Sequence, residues 1–479
     1  MNLADLTPRM RDTIARLASA PWPDDARREP ICSYLYDLAA LEKHAAGLAA
    51  SLPEPCRLYY AVKANPDPRL IAALVGHVAG FEAASIGEIR VIRAISRDAG
   101  IIFGGPGKKD AEIDAALDLG ITRLHVESLG ELTRVAWIAE RRGQVVSILL
   151  RVNLDQDDLP SATVTMGGYP SQFGIDEALL PGAVAQAKAS PWLALDGFHL
   201  HSLSNNLDAK RHAELVAIYL ERVHAWAQRF AIDVKVVDAG GGFGVSYDER
   251  DDFDWSGFVA ALAPVLRNNP VPGASLIFEP GRFISAFCGA YIAEVVDIKP
   301  CRGEHFALLR GGTHHFRLPA SWGHDHPFEI VPREAWPYPF ARAEVVDASV
   351  TLAGELCTPK DVLARRVAVP RLRVGDLIVF RRTGAYGWTI SHHDFLGHAH
   401  PEMRYLAPDA EPGSVQGHEP GSVQGHEPVT GHEPRHGSNH DIHDGAQARH
   451  LGHRHDSQPR VSSQEPSTRP ALHKEDIDS

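Results

Sequence analysis

Between Arg57 and Gly281 short apolar runs recur, each followed by a stretch with helical spacing. The runs are Arg57–Ala64 (RLYYAVKA), Gly80–Ser85 (GFEAAS), Ile101–Gly105 (IIFGG) and Arg123–Ser128 (RLHVES). Val146–Asn153 (VSILLRVN), Leu195–Ser202 (LDGFHLHS), Lys235–Gly242 (KVVDAGGG) and Leu276–Gly281 (LIFEPG) complete the set. Eight strands alternating with helices is the number that closes a (β/α)8 barrel, and their spread fits its usual length of about 250 residues. Chemistry in that fold sits on the loops leaving the C-terminal strand ends. Here those ends carry a lysine, a histidine, three glycines and an acid–Pro–Gly–Arg turn. They suit a phosphate-bearing cofactor and point to an enzyme.

The flanks have a different texture. The first residues form an amphipathic helix and a Pro-rich link (PWPDDARREP), and Ile31–Leu38 (ICSYLYDL) alternates as a strand before a helix from Ala39. After Ala286, β-branched runs such as Ala290–Ile298, Phe306–Leu309 and Ala343–Leu352 are broken by Gly and Pro. They predict a mainly antiparallel β domain. The expected organisation is therefore α/β: residues 1–38 as a helix and strand joining the β domain, 39–285 as the barrel, 286–405 as the β domain, and 406–479 as a tail. A polar, Gly-rich insert at Asp155–Gly174 is placed to cover the barrel mouth. In the tail, EPGSVQGH at Glu411–His418 repeats at Glu419–His426, and ten of the 26 histidines lie beyond Leu406. With almost nothing apolar to bury, it reads as a disordered low-complexity repeat without chemistry, in preference to a loose Zn²⁺ or Ni²⁺ site.

Composition narrows the function class. Of the net charge of −13, −6 falls in the tail, where twelve Asp/Glu meet six Lys/Arg. An acidic chain disfavours nucleic acid and anionic membrane as partners. The five cysteines are widely spaced, with no CxxC pair, so neither a disulfide framework nor a metal site is expected and a reducing cytoplasm is the expected setting. The N-terminus lacks the apolar core of a signal peptide, and no apolar run is long enough to span a bilayer.

Candidate chemistry clusters at the strand ends. Lys63 (YYAVKANP) is either a snorkelling surface lysine or, at a barrel mouth, an amine whose pKa burial lowers so that it can attack an aldehyde. Gly240, Gly241 and Gly242 permit a tight turn whose N–H groups point at one anion, and no Walker or Rossmann pattern surrounds them. Glu279, Gly281 and Arg282 (EPGR) follow the last strand, the arginine suited to the same phosphate and the glutamate to a protonated ring nitrogen. His199 and His201 share a strand face. His201 is nearer the mouth and suited to stacking on a cofactor ring, and Ser204 can donate to phosphate. Cys357 (GELCTPKD) and Tyr386 (GAYGW) would by themselves read as core residues.

Taken together these motifs resemble the fold-type III pyridoxal 5'-phosphate decarboxylases, the group of ornithine/arginine and diaminopimelate decarboxylases, from about Ile31 to Glu402. The resemblance implies that Lys63 carries the cofactor, His201 stacks on its ring, and Ser204, Gly240–Gly242, Gly281, Arg282 and Tyr386 hold its phosphate. Glu279 would face the ring nitrogen. Cys357 would enter from the partner subunit of a head-to-tail homodimer and return a proton to Cα after loss of CO₂. No metal is implied.

Two departures bear on the substrate. The position after the cysteine, usually an acid that binds a distal ammonium, is Thr358, and the C-terminal segment reads HHDFLGHAHP at His392–Pro401. Losing an anion and gaining histidines suggests a carboxylate-rich distal group, met by Arg317, Thr358, His392, His393 and His398. The pattern resembles the siderophore branch of the family, which decarboxylates a diamino acid already joined to citrate, as in staphyloferrin B-type or vibrioferrin-type assembly. The alternatives are a diaminopimelate or basic amino-acid decarboxylase of primary metabolism, an alanine racemase-like enzyme, and a non-catalytic PLP-binding barrel. The last lacks both a C-terminal β domain and the cysteine motif.

Overall fold

The computed structural model describes residues 6–22, 28–155, 170–248 and 251–407, with the backbone of 416–418. Most of the Asp155–Gly174 insert and nearly all of the tail expected to be disordered lie outside these residues. No helix among the described residues is long and apolar enough to cross a membrane.

Strand β1 (Cys32–Asp37) precedes a ring of parallel strands. These are β2 (Cys56–Ala61), β3 (Gly80–Ala83), β4 (Gly100–Phe103), β5 (Arg123–Val126) and β6 (Val146–Asn153). After a two-residue extension, β7 (Ile175–Asp176), come β8 (Leu193–His199), β9 (Val236–Asp238) and β10 (Ser275–Phe278). Neighbours pair in sequence order, and β10 returns to β2 with Leu276 opposite Cys56. The barrel is closed, as the eight apolar runs predict.

Local sequence explains the strand-to-helix turns. After β3, Ser85 caps the helix Ile86–Ile95 by accepting from Glu88 N, while the Glu88 carboxylate accepts from Ala84 N at 2.6 Å. After β5, Ser128 and Glu131 repeat the device on the helix Leu129–Arg142, with Glu131 accepting from Glu127 N at 2.7 Å. Both are Ser-x-x-Glu boxes, each satisfying N–H groups that the first helical turn leaves without partners.

Inside the barrel, Tyr59, Ile102, Leu149, Val236 and Ile277 form a buried apolar plug separate from the main core. Gly80 makes room for it: a Cβ there would lie 2.4 Å from the Tyr59 ring. The outward-facing alternates, among them Leu58, Tyr60, Phe81 and Phe103, join the core under the surrounding helices.

The remaining strands are β11 (Gly289–Cys301), β12 (Glu304–Leu309), β13 (Phe328–Val331), β14 (Glu344–Ala353), β15 (Val362–Arg373), β16 (Leu377–Phe380) and β17 (Glu402–Leu406). They form a sheet of order β15-β14-β12-β11-β1-β17, with β16 pairing β11 and β13. The sheet is mainly antiparallel, as expected, but β1–β17 and β12–β14 are parallel pairs. Helix Pro8–Ser19 lays Met10 and Ile14 on Leu35, Ile292, Leu377 and Val379, so the chain's first helix and strand complete this sheet.

Candidate active site

Side chains alternate across a strand, so the position two beyond each plug residue also faces the barrel interior. Above Tyr59, Ile102, Leu149, Val236 and Ile277 these positions are Ala61, Gly104, Arg151, Asp238 and Glu279, and all but Asp238 line a cavity of about 260 Å³. Lys63, Glu82, His125, His199 and His201 line it too, as do Ser204, Gly241, Gly242, Gly281, Arg282 and Tyr386. The structure therefore gathers the lysine, histidine, glycine and EPGR motifs at one mouth.

Lys63 stands just beyond β2, its side chain 49 % exposed to the cavity, with Nζ 3.0 Å from Glu82 Oε2. Of the two readings the sequence left open, a snorkelling surface lysine or an amine with a lowered pKa, the structure reverses the second. Burial does pull it down and is the largest single influence, but Glu82, Tyr386 and Glu279 outweigh it and the ammonium is held above its ordinary value. Burial pushes Glu82 up, and Lys63, His125 and Arg151 carry it back below the usual carboxylate range. Glu279, 5 % exposed, is pushed well above that range by burial and by the charges of Asp238 and Glu82. Asp238 is raised to about 7, chiefly by burial. Two facing carboxyls in a low-dielectric site share a proton before both ionise.

The glycine turn works differently from expectation. Gly240 donates to Asp238 Oδ1 at 2.9 Å and Gly241 to His201 Nδ1 at 3.2 Å, so two of the three N–H groups are already used and do not converge on an anion. Absence of side chains is what the turn requires. A Cβ on Gly240, where φ is +64°, would lie 2.5 Å from His201 Nδ1, and one on Gly241 2.5 Å from Glu279 O. The turn thus packs against the imidazole, and Gly242, Ser204 and Arg282 line the cavity beside it. The β domain closes the mouth: Tyr386 N donates to Ala64 O at 2.8 Å, and Asn65 Nδ2 to Gly384 O at 2.8 Å. The Arg282 guanidinium lies 4.5 Å over Tyr386 and 4.0 Å over Trp322.

The cysteine motif lies elsewhere. Cys357 is exposed on the loop between β14 and β15 and does not line the cavity of its own chain. Asp361 holds this loop, accepting from Leu356 N at 2.8 Å and Thr313 N at 2.6 Å. Gly354 and Gly312 leave no room for any side chain against that carboxylate, which accounts for the Gly-x-x-Cys-x-x-x-Asp spacing. Beside Cys357, Glu355 accepts from Arg310 at 2.8 Å and from Gly311 N at 3.0 Å, with His314 at 3.5 Å and His398 at 3.8 Å. Arg317 is exposed, its N–H on Ser391 Oγ, and burial followed by Arg317 lowers the pKa of His392. Thr358 is half-buried on the same loop. His393 stacks on Trp388 at 3.6 Å with Nε2 on the Trp388 carbonyl, so that nitrogen is already used.

Sequence reasoning passed over Glu82, His125, Arg151 and Asp238 as site residues and discounted His199. His125 and His199 stack at 3.9 Å, and Arg151 contacts both Glu127 oxygens at 3.0 Å beneath the Phe173 ring. Parity was an available signal for Arg151, Asp238 and His199, which lie two residues from Leu149, Val236 and His201; Glu82 and His125 stand on strands with no such reference position.

The orphaned polar atoms identify what fits here. Glu279 Oε1, Asp238 Oδ2, His125 Nε2 and both His199 nitrogens are buried without a hydrogen-bond partner. Together with a lysine and a side-chain-free turn, they suit a flat, nitrogen-containing aldehyde with an anionic arm. Residues 38–286 match the pyridoxal-binding domain of the pyridoxal-dependent decarboxylases. The chain is 45 % identical, over 81 % of its length and 96 % of the relative, to the 2-[(L-alanin-3-ylcarbamoyl)methyl]-2-hydroxybutanedioate decarboxylase of Staphylococcus aureus. It is 32 % identical, over 77 % of its length and 87 % of the relative, to an L-glutamyl-acyl-carrier-protein decarboxylase of Niallia circulans. Its fold is similar to diaminopimelate decarboxylase of Helicobacter pylori complexed with L-lysine: TM-score 0.70 and 24 % identity over 82 % of this chain and 94 % of that one.

Buried histidines set an acid limit. His212, against Phe243 at 4.1 Å, is lowered to about 3 by burial alone, and His125 to about 4 by burial against partial opposition from Glu279 and Glu82. His199, His201 and His326 are lowered further, each chiefly by burial. As pH falls below the unfolded value of about 6.5, the unfolded chain binds protons the fold refuses, at up to about 1.4 kcal/mol per histidine per pH unit. Asp238, Glu279, Glu88 and Glu131, raised in the fold, act in the opposite sense but are fewer than the lowered histidines. The urea midpoint of the cofactor-free protein is therefore expected to fall between pH 7.5 and pH 5; an unchanged or higher midpoint at pH 5 contradicts this.

Proposed function

The chain belongs to the pyridoxal-dependent decarboxylases, and on that footing we propose that its substrate is a diamino acid joined through one amine to citrate, of the citryl-diaminopropionate type, in assembly of a carboxylate siderophore. The observation that carries the reading is the set of basic side chains in the β domain that carries the Cys357 loop: Arg310, His314 and His398 lie within 4 Å of Glu355, two residues from Cys357, and Arg317 and His314 act on His392. Two arginines with imidazoles that can donate hydrogen bonds suit a distal group bearing carboxylates, whereas a free diamino acid would bring an ammonium that the arginines repel. The name of the Staphylococcus aureus relative describes such a conjugate.

When bound, pyridoxal 5'-phosphate supplies the aldehyde that takes the substrate amine and the ring that draws off the electron pair left as CO₂ departs. Lys63 holds the cofactor and, once displaced, is kept as an ammonium by Glu82, ready to return a proton. Glu279 faces the ring nitrogen, and His201, braced on the glycine turn, lies against the ring. Ser204, Gly242, Arg282 and Tyr386 hold the phosphate. Cys357 of the partner subunit reaches the cavity across a head-to-tail homodimer and gives Cα its proton, while Arg317, Thr358, His392 and His398 from that same face receive the distal carboxylates.

Purified, cofactor-loaded protein is expected to release CO₂ rapidly from citryl-diaminopropionate and slowly from free diaminopimelate, lysine, ornithine and diaminopropionate; preference for a free diamino acid contradicts the substrate reading. Cys357→Ala is expected to lower turnover by at least ~10²-fold, in the range of a lost general acid, with the cofactor absorbance unchanged. Mixing it with Lys63→Ala protein under exchange conditions restores activity if the site is shared, and leaves both inactive if it is not.

A further inference from the structure

His125 takes no part in that scheme, yet it stands on its floor. It projects from β5, 1 % exposed, with Nε2 3.2 Å from Asp238 Oδ2. Neither atom is engaged in a hydrogen bond in this structure, and Asp238 also faces Glu279. Its nitrogen, an Asp238 oxygen and a Glu279 oxygen all lie within 4.8 Å of one another. The flat face of the ring is fixed by His199, stacked at 3.9 Å, whose own Nε2 is 3.8 Å from Glu279 Oε2. The other Asp238 oxygen is taken by Gly240 N.

We propose that His125 is a positioning residue for the cofactor's ring nitrogen: it gives its Nε2–H to Asp238, holds that carboxyl as the anion, and leaves Glu279 as the carboxylate facing the ring-nitrogen proton. The proton inventory balances. The proton shared by Asp238 and Glu279 passes to the ring nitrogen, the two carboxyls become anions, and His125 stays neutral, stabilising one of them through a hydrogen bond. Burial keeps the imidazole neutral at physiological pH, which is the state that can donate without adding charge. The charged and titratable groups facing it are Lys63 beyond β2, Glu82 on β3, Glu127 beyond β5, Arg151 on β6, His199 on β8, Asp238 on β9 and Glu279 beyond β10; β4 adds none. His125 is the one among them with an unpartnered N–H donor position facing Asp238. The inference rests on Glu279 facing the ring nitrogen.

The test uses holoenzyme reconstituted with ¹⁵N-labelled pyridoxal 5'-phosphate, following the ring-nitrogen chemical shift against pH. His125→Phe keeps the stack on His199 but cannot donate; the pH midpoint for loss of the protonated-ring signal is expected to drop by roughly one unit or more. His125→Gln, which keeps a donor, restores most of that shift. A His125→Phe titration identical to the wild type, or a His125→Gln titration no better than His125→Phe, overturns the proposal. Should His125→Phe fail to fold, Asp238→Asn removes the anion that His125 is held to fix and must give the same drop. Glu279→Gln separates the two readings: loss of the protonated signal at neutral pH supports the placement of the ring, and an unchanged signal overturns that placement and the role of His125 with it. A titration altered by EDTA assigns the triad to a divalent cation and overturns the proposal as well.

Discussion

Strand alternation around a closed ring is the constraint on which the site depends. With a period of two, each barrel strand that places an apolar residue in the plug must present its next inward side chain one layer higher. That step converts Leu149 into Arg151, Val236 into Asp238 and Ile277 into Glu279, while Lys63 follows in the helical turn Val62–Ala64 just past β2. The plug excludes water from below, so the polar layer is solvated from the mouth alone. A slip of one residue in any pair would turn the plug outward and drive a charge against the helices. The same register that closes the barrel therefore assembles the chemistry.

Within that layer, Coulomb interactions and desolvation compete, and the winner differs by residue. Burial by itself pulls Lys63 down; the adjacent Glu82 at 3.0 Å, with Tyr386 and Glu279, reverses the sign and holds it as an ammonium. Glu279 has no cation so close, and burial together with Asp238 and Glu82 raises it. The half-exposed lysine and the buried acid are thus both held in their protonated forms, the first by a neighbouring carboxylate and the second by burial and like charge. The β domain adds reach: the Gly384–Tyr386 loop is stitched to Ala64 and Asn65, next to the lysine, while the Asp361-stapled loop carries Cys357 away from it.

The barrel was legible because each strand is a short apolar run bounded by turn chemistry, and the Ser-x-x-Glu caps at Ser85 and Ser128 mark two of the turns in plain text. Lys63, His201, Ser204, Gly242, Glu279 and Arg282 were legible because they sit in distinctive strings at the strand ends, Tyr386 only through the family resemblance, and all of them line one cavity. Glu82, His125 and Arg151 were not, because a charge within a strand belongs to either face until closure decides which is inward. The use of Gly240 and Gly241 N–H groups on Asp238 and His201 was equally hidden, since composition announces the turn but not its hydrogen bonds. The parallel pairs β1–β17 and β12–β14 escaped notice because strands distant in sequence, or separated by an excursion, leave no local signature of direction.

The central claim is that Lys63, at the mouth of this polar layer, is the residue that carries the cofactor. Borohydride reduction of the holoenzyme, followed by proteolysis and mass spectrometry, locates the modified lysine directly. The account predicts the reduced cofactor on the peptide containing Lys63. A cofactor fixed on another lysine, such as the buried Lys108, or one released unreduced from a protein that retains activity, would contradict it.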